Sequence, residues 1–332
     1  MDKDKKQKQK SEPTTNNTSK GPSERKMPRI AIALGSGMAW GFAHIGILKA
    51  LNRHGIYPQI VAGSSIGAVV GGCYLSDKLP QLEDWVLSLN RRKVFSYLDF
   101  RSRSASLISG KKFYNELALY FTDMKIEDLG LPFIAIASDL ATGHEIWLRK
   151  GDLITAMSAS FALPGVFPPV ELNHRLLVDG ALVNPVPVAP CQALGSRLTM
   201  AVDVNADPIG KSSLANKRFQ TIAGFDVFND AEVSKKDQKV FGSSIARRIF
   251  RRLPGNPSLF GVMVSALNIM QDRLTRSRLA GDPPDVHIKP RIGHIGMLEF
   301  EKAEELIAAG EQAVEDALPD IKACMNVLLP SH

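Results

Sequence analysis

Cysteine is scarce: Cys73, Cys191 and Cys324 lie far apart in a chain of 332 residues. None forms a C-x-x-C pair, which excludes a thiolate zinc site and a disulfide framework and points to a reducing compartment. Long apolar runs are missing too. No stretch reaches the roughly 18 uninterrupted apolar residues a bilayer-spanning helix needs. The longest candidate, residues 260–270, is short and broken by Ser265 and Asn268. Glycine and proline, 26 and 20 residues, are too few for a collagen or low-complexity chain. What remains is a soluble-type composition, 44% hydrophobic and 23% charged, that can bury a sizeable core.

The formal charge of +7 is unevenly spread. Residues 1–29 hold nine basic and four acidic side chains, a local net of +5, and the other 303 residues carry only +2. Between Lys3 and Pro22 no large apolar side chain occurs, so this segment cannot offset the entropy of ordering. Residues 1–28 are therefore expected to be a disordered basic tail, without the apolar core of a signal peptide or the acid-poor pattern of a transit peptide. A single α/β domain is expected over residues 29–325.

Regular structure begins with Ile30-Ala31-Ile32-Ala33-Leu34, an unbroken apolar run that reads as a buried parallel strand. It runs into Gly35-Ser36-Gly37-Met38-Ala39-Trp40-Gly41, after which Phe42, Ile45, Leu48 and Leu51 return at helical spacing. Backbone N–H groups at such a loop favour negative charge. The dinucleotide fingerprint would need glycine where Trp40 stands, and the Walker pattern is absent, so a developing oxyanion is the better fit. A second apolar run, residues 56–62, leads into Gly63-Ser64-Ser65-Ile66-Gly67 and a small-residue helix. This is G-x-S-x-G at a strand-to-helix turn. Such a turn exposes the serine hydroxyl, and the flanking Gly63 and Gly67 remove side chains that would clash there. Ser65 is the candidate nucleophile.

A serine hydroxyl needs a base. Asp179, delivered by Leu176-Leu177-Val178 into a turn that Gly180 can accommodate, would serve if desolvation raised its basicity. A Ser-Asp-His arrangement with His287 or His294 as the base is the alternative. His44, in the helix after the glycine loop, reads as structural. The residues leave both arrangements open.

The ordered set Gly35 to Gly41, Gly63 to Gly67 and Asp179-Gly180-Ala181 resembles the patatin-like phospholipase family, in particular its compact bacterial members. So do Ser138-Asp139-Leu140-Ala141-Thr142-Gly143 and the segment from Ala159-Ser160 through Pro164 and Phe167 to Pro169. The match spans residues 29–205 and, less distinctively, Asp282 to Glu299. Trp40 and Ser158 stand where that family usually has arginine.

The resemblance implies a three-layer α/β fold with a mostly parallel central sheet flanked by helices. It also implies a serine lipid acyl hydrolase with a Ser-Asp dyad, Ser65 as nucleophile and Asp179 as general base. The oxyanion donors fall on the backbone of Gly35, Ser36, Gly37 and Met38, and no cofactor or metal is needed. Phospholipids or simpler acyl esters are the implied substrates. A membrane-associated regulatory protein with a weakened site is the reading from another class.

Elsewhere, residues 112–122 and 301–318 have the spacing of packing helices. Residues 244–253 interleave Ile245, Ile249, Phe250 and Leu253 with arginines, the pattern of an interfacial helix. With no ladder of aromatics for base stacking in that basic region, nucleic acid is not an expected partner. The expectation is a cytoplasmic protein: the basic tail reads first as a solvated leader and residues 244–253 as a surface helix docked on the core, and peripheral contact with the inner membrane surface through both is the alternative. Residues 258–270 are expected to form an apolar helix that lines an acyl pocket or is buried in the core.

Overall fold

The computed structural model describes residues 29–90, 93, 124–207 and 259–329. The basic tail, the expected helix over 112–122 and the segment 244–253 lie outside the described residues. Strand β1 (Ile30–Leu34) is followed by a 3₁₀ turn (Met38–Phe42), helix α1 (Ala43–Arg53), strand β2 (Ile60–Ser64) and helices α2 (Ile66–Leu75) and α3 (Leu79–Leu87). Then come β3 (Phe133–Asp139), β4 (Glu145–Leu148), α4 (Leu153–Ser160), β5 (Val170–Leu172) and β6 (Arg175–Asp179). Helix α5 (Val188–Ala193), β7 (Leu198–Val202), α6 (Leu259–Gly281), β8 (Val286–Ile288) and α7 (Ala303–Leu328) complete the described chain.

The strands form one mixed sheet in the order β5-β6-β3-β2-β1-β7-β8, with β4 paired to β3 off that path. From β3 to β8 the neighbours run parallel, and β4, β5 and β6 add antiparallel pairings on the other side. Alternation along β1 shows why both faces must be covered. Ile30, Ile32 and Leu34 enter a large core with α1, α2, α4 and α7, whereas Ala31 and Ala33 enter a smaller one with Val188 and Cys191 of α5. Full burial of each such Ile or Leu contributes about 1.5–3 kcal/mol. The result is the expected layered α/β architecture.

Three boundaries differ from the sequence expectation. β2 starts at Ile60 rather than Ile56, because Pro58 has no N–H to give a ladder and Tyr57 is left exposed. The helix expected over 301–318 begins as a 3₁₀ turn at Phe300–Lys302 and then runs through Pro319 to Leu328. Its buried stripe continues to Ile321, past the proline. The apolar segment expected over 258–270 is the first half of the longer α6.

Candidate active site

Strand β3 is the template that assembles the site. Its Ile136 pairs with Ser64 at the end of β2, and the next residue, Ala137, pairs with Asp179 at the end of β6. Two chain segments more than a hundred residues apart therefore finish side by side, and the Ser65 hydroxyl donates to Asp179 Oδ2 at 2.7 Å. Both residues are buried.

The turn carrying Ser65 is strained, with φ 56° and ψ −126° in a non-glycine residue. Such a conformation costs about 1–3 kcal/mol, and packing around the turn must hold it. A Cβ on Gly63 would lie 2.5 Å from the Ala68 backbone, and one on Gly67 would strike the Leu34 carbonyl. Gly180 meets the Ile136 carbonyl in the same way. The Ser65 N–H donates to Ser160 Oγ at 2.9 Å, a fully buried contact. Ser160 closes α4 within the Ala-Ser segment, and the sequence marks it as part of a motif without assigning it this task.

Asp179 is held on every side. Its N–H donates to the Ala162 carbonyl at 3.0 Å, its own carbonyl accepts from Ser138 Oγ at 2.8 Å, and Oδ1 accepts from the Ala181 N–H at 2.8 Å. Burial raises its carboxyl from 3.8 to about 7, against the opposing pull of the Ala181 N–H and the Ser65 hydroxyl. The carboxyl is therefore poised to titrate near neutrality. Asp139, two residues beyond Ala137 on β3, behaves oppositely. The Thr142 and Ala141 N–H groups and Arg175 hold its carboxyl below the usual range, so it locks the turn and the neighbouring β6.

The glycine loop faces this pair. Ser36, Gly37, Met38, Ser65 and Asp179 line one cleft, walled on its apolar side by Phe161, Leu163, Phe167, Val264, Leu267 and Met297. Within the loop the four expected donors divide. Gly35 N–H donates to the Val202 carbonyl at 3.1 Å and Ser36 N–H to the Pro185 carbonyl at 2.9 Å. The N–H groups of Gly37 and Met38 take no acceptor among the described residues. Met38 itself has a positive φ of 50°.

Several buried polar groups fix the loop. His44 is fully buried, and desolvation lowers its imidazole from 6.5 to about 4, so the ring is neutral near pH 7. Its Nε2 lies 2.7 Å from the Gly35 carbonyl, which only accepts, so Nε2 carries the proton. Asn205 Nδ2 donates to the Ser36 carbonyl at 3.0 Å, and the Trp40 indole N–H donates to the Ile295 carbonyl at 2.8 Å. Trp40 is thus a buried neutral donor where an arginine is usual. Ser158, at the other such position, has its hydroxyl oxygen buried with no partner among the described residues.

The histidines of the alternative arrangement lie elsewhere. His287 is on β8, three strands from β2 in the sheet, with Nε2 3.7 Å from Asp203. His294 is exposed and pairs with Glu305 at 2.9 Å. Among the described residues no histidine hydrogen-bonds to Ser65 or Asp179. Nor is any helix among them long and apolar enough to cross a membrane.

A family model described as patatin-like phospholipase matches residues 32–191. An uncharacterized NTE family protein of Mycobacterium tuberculosis is 33% identical over 329 residues, covering 88% of this chain and 91% of that protein. The lysophospholipase nte1 of Emericella nidulans is 26% identical over 317 residues, covering 91% of this chain but 19% of that much longer protein. Among solved structures, VipD from Legionella pneumophila matches with a TM-score of 0.53 over 88% of this chain and 67% of its own, at 11% identity, a likeness of fold.

Proposed function

The chain belongs to the patatin-like phospholipase family and is a lipid ester hydrolase, and from that premise we propose that it cleaves acyl esters of glycerophospholipids through a Ser65–Asp179 dyad. The observation that carries this reading is the buried 2.7 Å hydrogen bond between the two side chains, with a carboxyl whose proton affinity is raised to about 7.

In the proposed reaction Asp179 takes the hydroxyl proton as Ser65 Oγ attacks the ester carbonyl carbon. The oxyanion that forms lies against the N–H groups of Gly37 and Met38, the two loop donors with no acceptor among the described residues, and at the N-terminus of α2. Collapse expels the alcohol, which takes the proton from Asp179 and leaves the fatty acyl group on Ser65. Water then gives a proton to Asp179 and attacks the acyl ester, and Ser65 regains its proton as the fatty acid leaves. Gly35 and Ser36 hold the loop through their bonds to β7 and Pro185 rather than facing the substrate. Phe161, Leu163, Phe167 and Val264 form the wall that takes the acyl chain. A histidine base is disfavoured by the positions of His287 and His294.

Hydrolysis of lysophosphatidylcholine and of a p-nitrophenyl ester by wild type, Ser65→Ala, Asp179→Asn and His287→Ala tests the reading. Wild type and His287→Ala should turn over, while the other two fall by at least about 10³-fold. Activity that survives in Ser65→Ala, or is lost in His287→Ala and kept in Asp179→Asn, overturns it.

A further inference from the structure

Helix α6 is apolar on two opposite faces. Val264, Leu267 and Gln271 face the cleft, whereas Val262, Ala266, Ile269 and Met270 are exposed. The spacing i, i+4, i+7, i+8 places those four on one stripe, roughly half a turn from the cleft-facing residues. Ile269 is 63% exposed, Met270 61% and Val262 48%. A lone exposed apolar side chain is ordinary, but three large ones within about two turns of one face form a patch that water disfavours.

The same stripe continues into cations. Arg273 and Arg276 are exposed on the following turns; Arg276 pairs only with Asp272 of its own helix at 3.1 Å, and Arg273 takes no partner among the described residues. Farther on, Arg278 ties α6 to the body through the Val183 carbonyl at 2.8 Å and Glu145 at 3.1 Å. An apolar stripe that passes into arginines suits an anionic bilayer, with side chains among the acyl tails and guanidinium groups at the phosphates. A helix is only about 10 Å across, so lipid at the outer face lies one helix away from the cleft.

We propose that the outer face of α6 is the docking surface for an anionic lipid bilayer, seating Val262, Ile269 and Met270 in the acyl region and Arg273 and Arg276 at the head groups. The proposal rests on the lipid-hydrolase reading for its purpose, because docking there sets the cleft beside its source of substrate.

Binding is measured on full-length Ser65→Ala protein, in which turnover plays no part, by sedimentation with phosphatidylcholine vesicles with and without phosphatidylglycerol. Adding Ile269→Glu and Met270→Glu should lower partitioning about 30-fold, from the apolar area withheld from the bilayer. Adding Arg273→Gln and Arg276→Gln should lower it about fivefold per charge, on phosphatidylglycerol vesicles only. Val327→Glu, at a 76% exposed site on α7, should change nothing. Undiminished partitioning of the Ile269/Met270 variant overturns the proposal, since binding then runs through another surface or the stripe is covered by another part of the chain. A lipid-free dimer that the same pair dissolves also overturns it, assigning the stripe to a second copy. Should circular dichroism show the glutamate pair unfolded, the arginine pair decides: no loss on anionic vesicles refutes docking. Failure of the Ser65 hydrolysis test would leave the binding result standing, so the two failures are distinguishable.

Discussion

Asp179→Asn should abolish turnover and at the same time stabilise the protein, by an amount that grows with pH. In the unfolded chain this carboxyl ionises near its ordinary 3.8, whereas in the fold burial holds its proton to about 7. Between those values the folded state binds the extra proton, so stability falls as pH rises through the window. Above pH 7 the accumulated cost is roughly 4 kcal/mol, from a shift of about three pKa steps at 1.36 kcal/mol each. Asparagine has nearly the same shape, can still accept from the Ala181 N–H and carries no charge, so it escapes that cost. Urea unfolding of wild type and variant at pH 5 and pH 8 isolates the term. The variant's advantage should widen by about 3 kcal/mol between the two pH values. A difference that stays constant with pH would refute the claim that burial sets the proton affinity of Asp179.

In the proposed reaction the same ionisation governs rate. Asp179 must be unprotonated to accept the Ser65 proton, so kcat/KM on a soluble ester should rise with pH and bend near 7. An acid limb near 4 would contradict the same reasoning from the kinetic side. Stability and activity thus move in opposite directions through one group. A buried carboxylate that hydrogen-bonds the nucleophile is a worse structural element than an amide and a better base.

Ser160→Ala leaves the Ser65 N–H without its buried acceptor, a loss of about 1–3 kcal/mol. Steady-state kinetics should show kcat reduced at least about tenfold with KM little changed, and an unaltered kcat would remove Ser160 from the positioning of the turn. Gly67→Ala places a methyl group against the Leu34 carbonyl and 2.8 Å from the Gly35 oxygen. β1 and α2 must then part, so chemical denaturation should show a loss above about 3 kcal/mol. His44→Phe removes the donor to the Gly35 carbonyl, and kcat should fall while the acid limb stays where it is, because this histidine is already neutral above about 4. Partial recovery in His44→Gln, which restores a donor, would separate that bond from simple packing.

How much of the site was legible depended on the range of the interaction. Ser65 could be read from five consecutive residues, because a strained strand-to-helix turn needs its glycines within two positions. Asp179 was visible as a residue delivered by an apolar strand, but spacing did not show its nearness to Ser65, and only the family resemblance implied their pairing. That partnership follows from adjacent registers on β3, and sheet order is a property of the whole chain. For the same reason spacing left His287 and His294 as candidates, although β8 lies at the far edge of the sheet. Ser160 and Asn205 act through single buried hydrogen bonds to backbone groups, which leave no periodic trace. His44 left a faint one, since a polar ring stands among Phe42, Ala43, Ile45 and Ile47, all buried. A histidine in such a helix has to find a backbone partner, and the carbonyl within reach belongs to the glycine loop.

The supports of that loop share a property that bears on the chemistry. His44, Asn205 and Trp40 all donate to backbone carbonyls while uncharged at neutral pH, so these three supports of the loop are neutral. A guanidinium placed beside Asp179 would favour its ionised form and draw its proton affinity down toward the ordinary carboxylate range. The influences on Asp179 here are burial, the Ala181 N–H and the Ser65 hydroxyl, and burial dominates. The neutral scaffold therefore does two things together. It orients the Gly37 and Met38 N–H groups through hydrogen bonds to their neighbours, and it leaves Asp179, as the base of the proposed reaction, strong enough to take a proton from serine near pH 7.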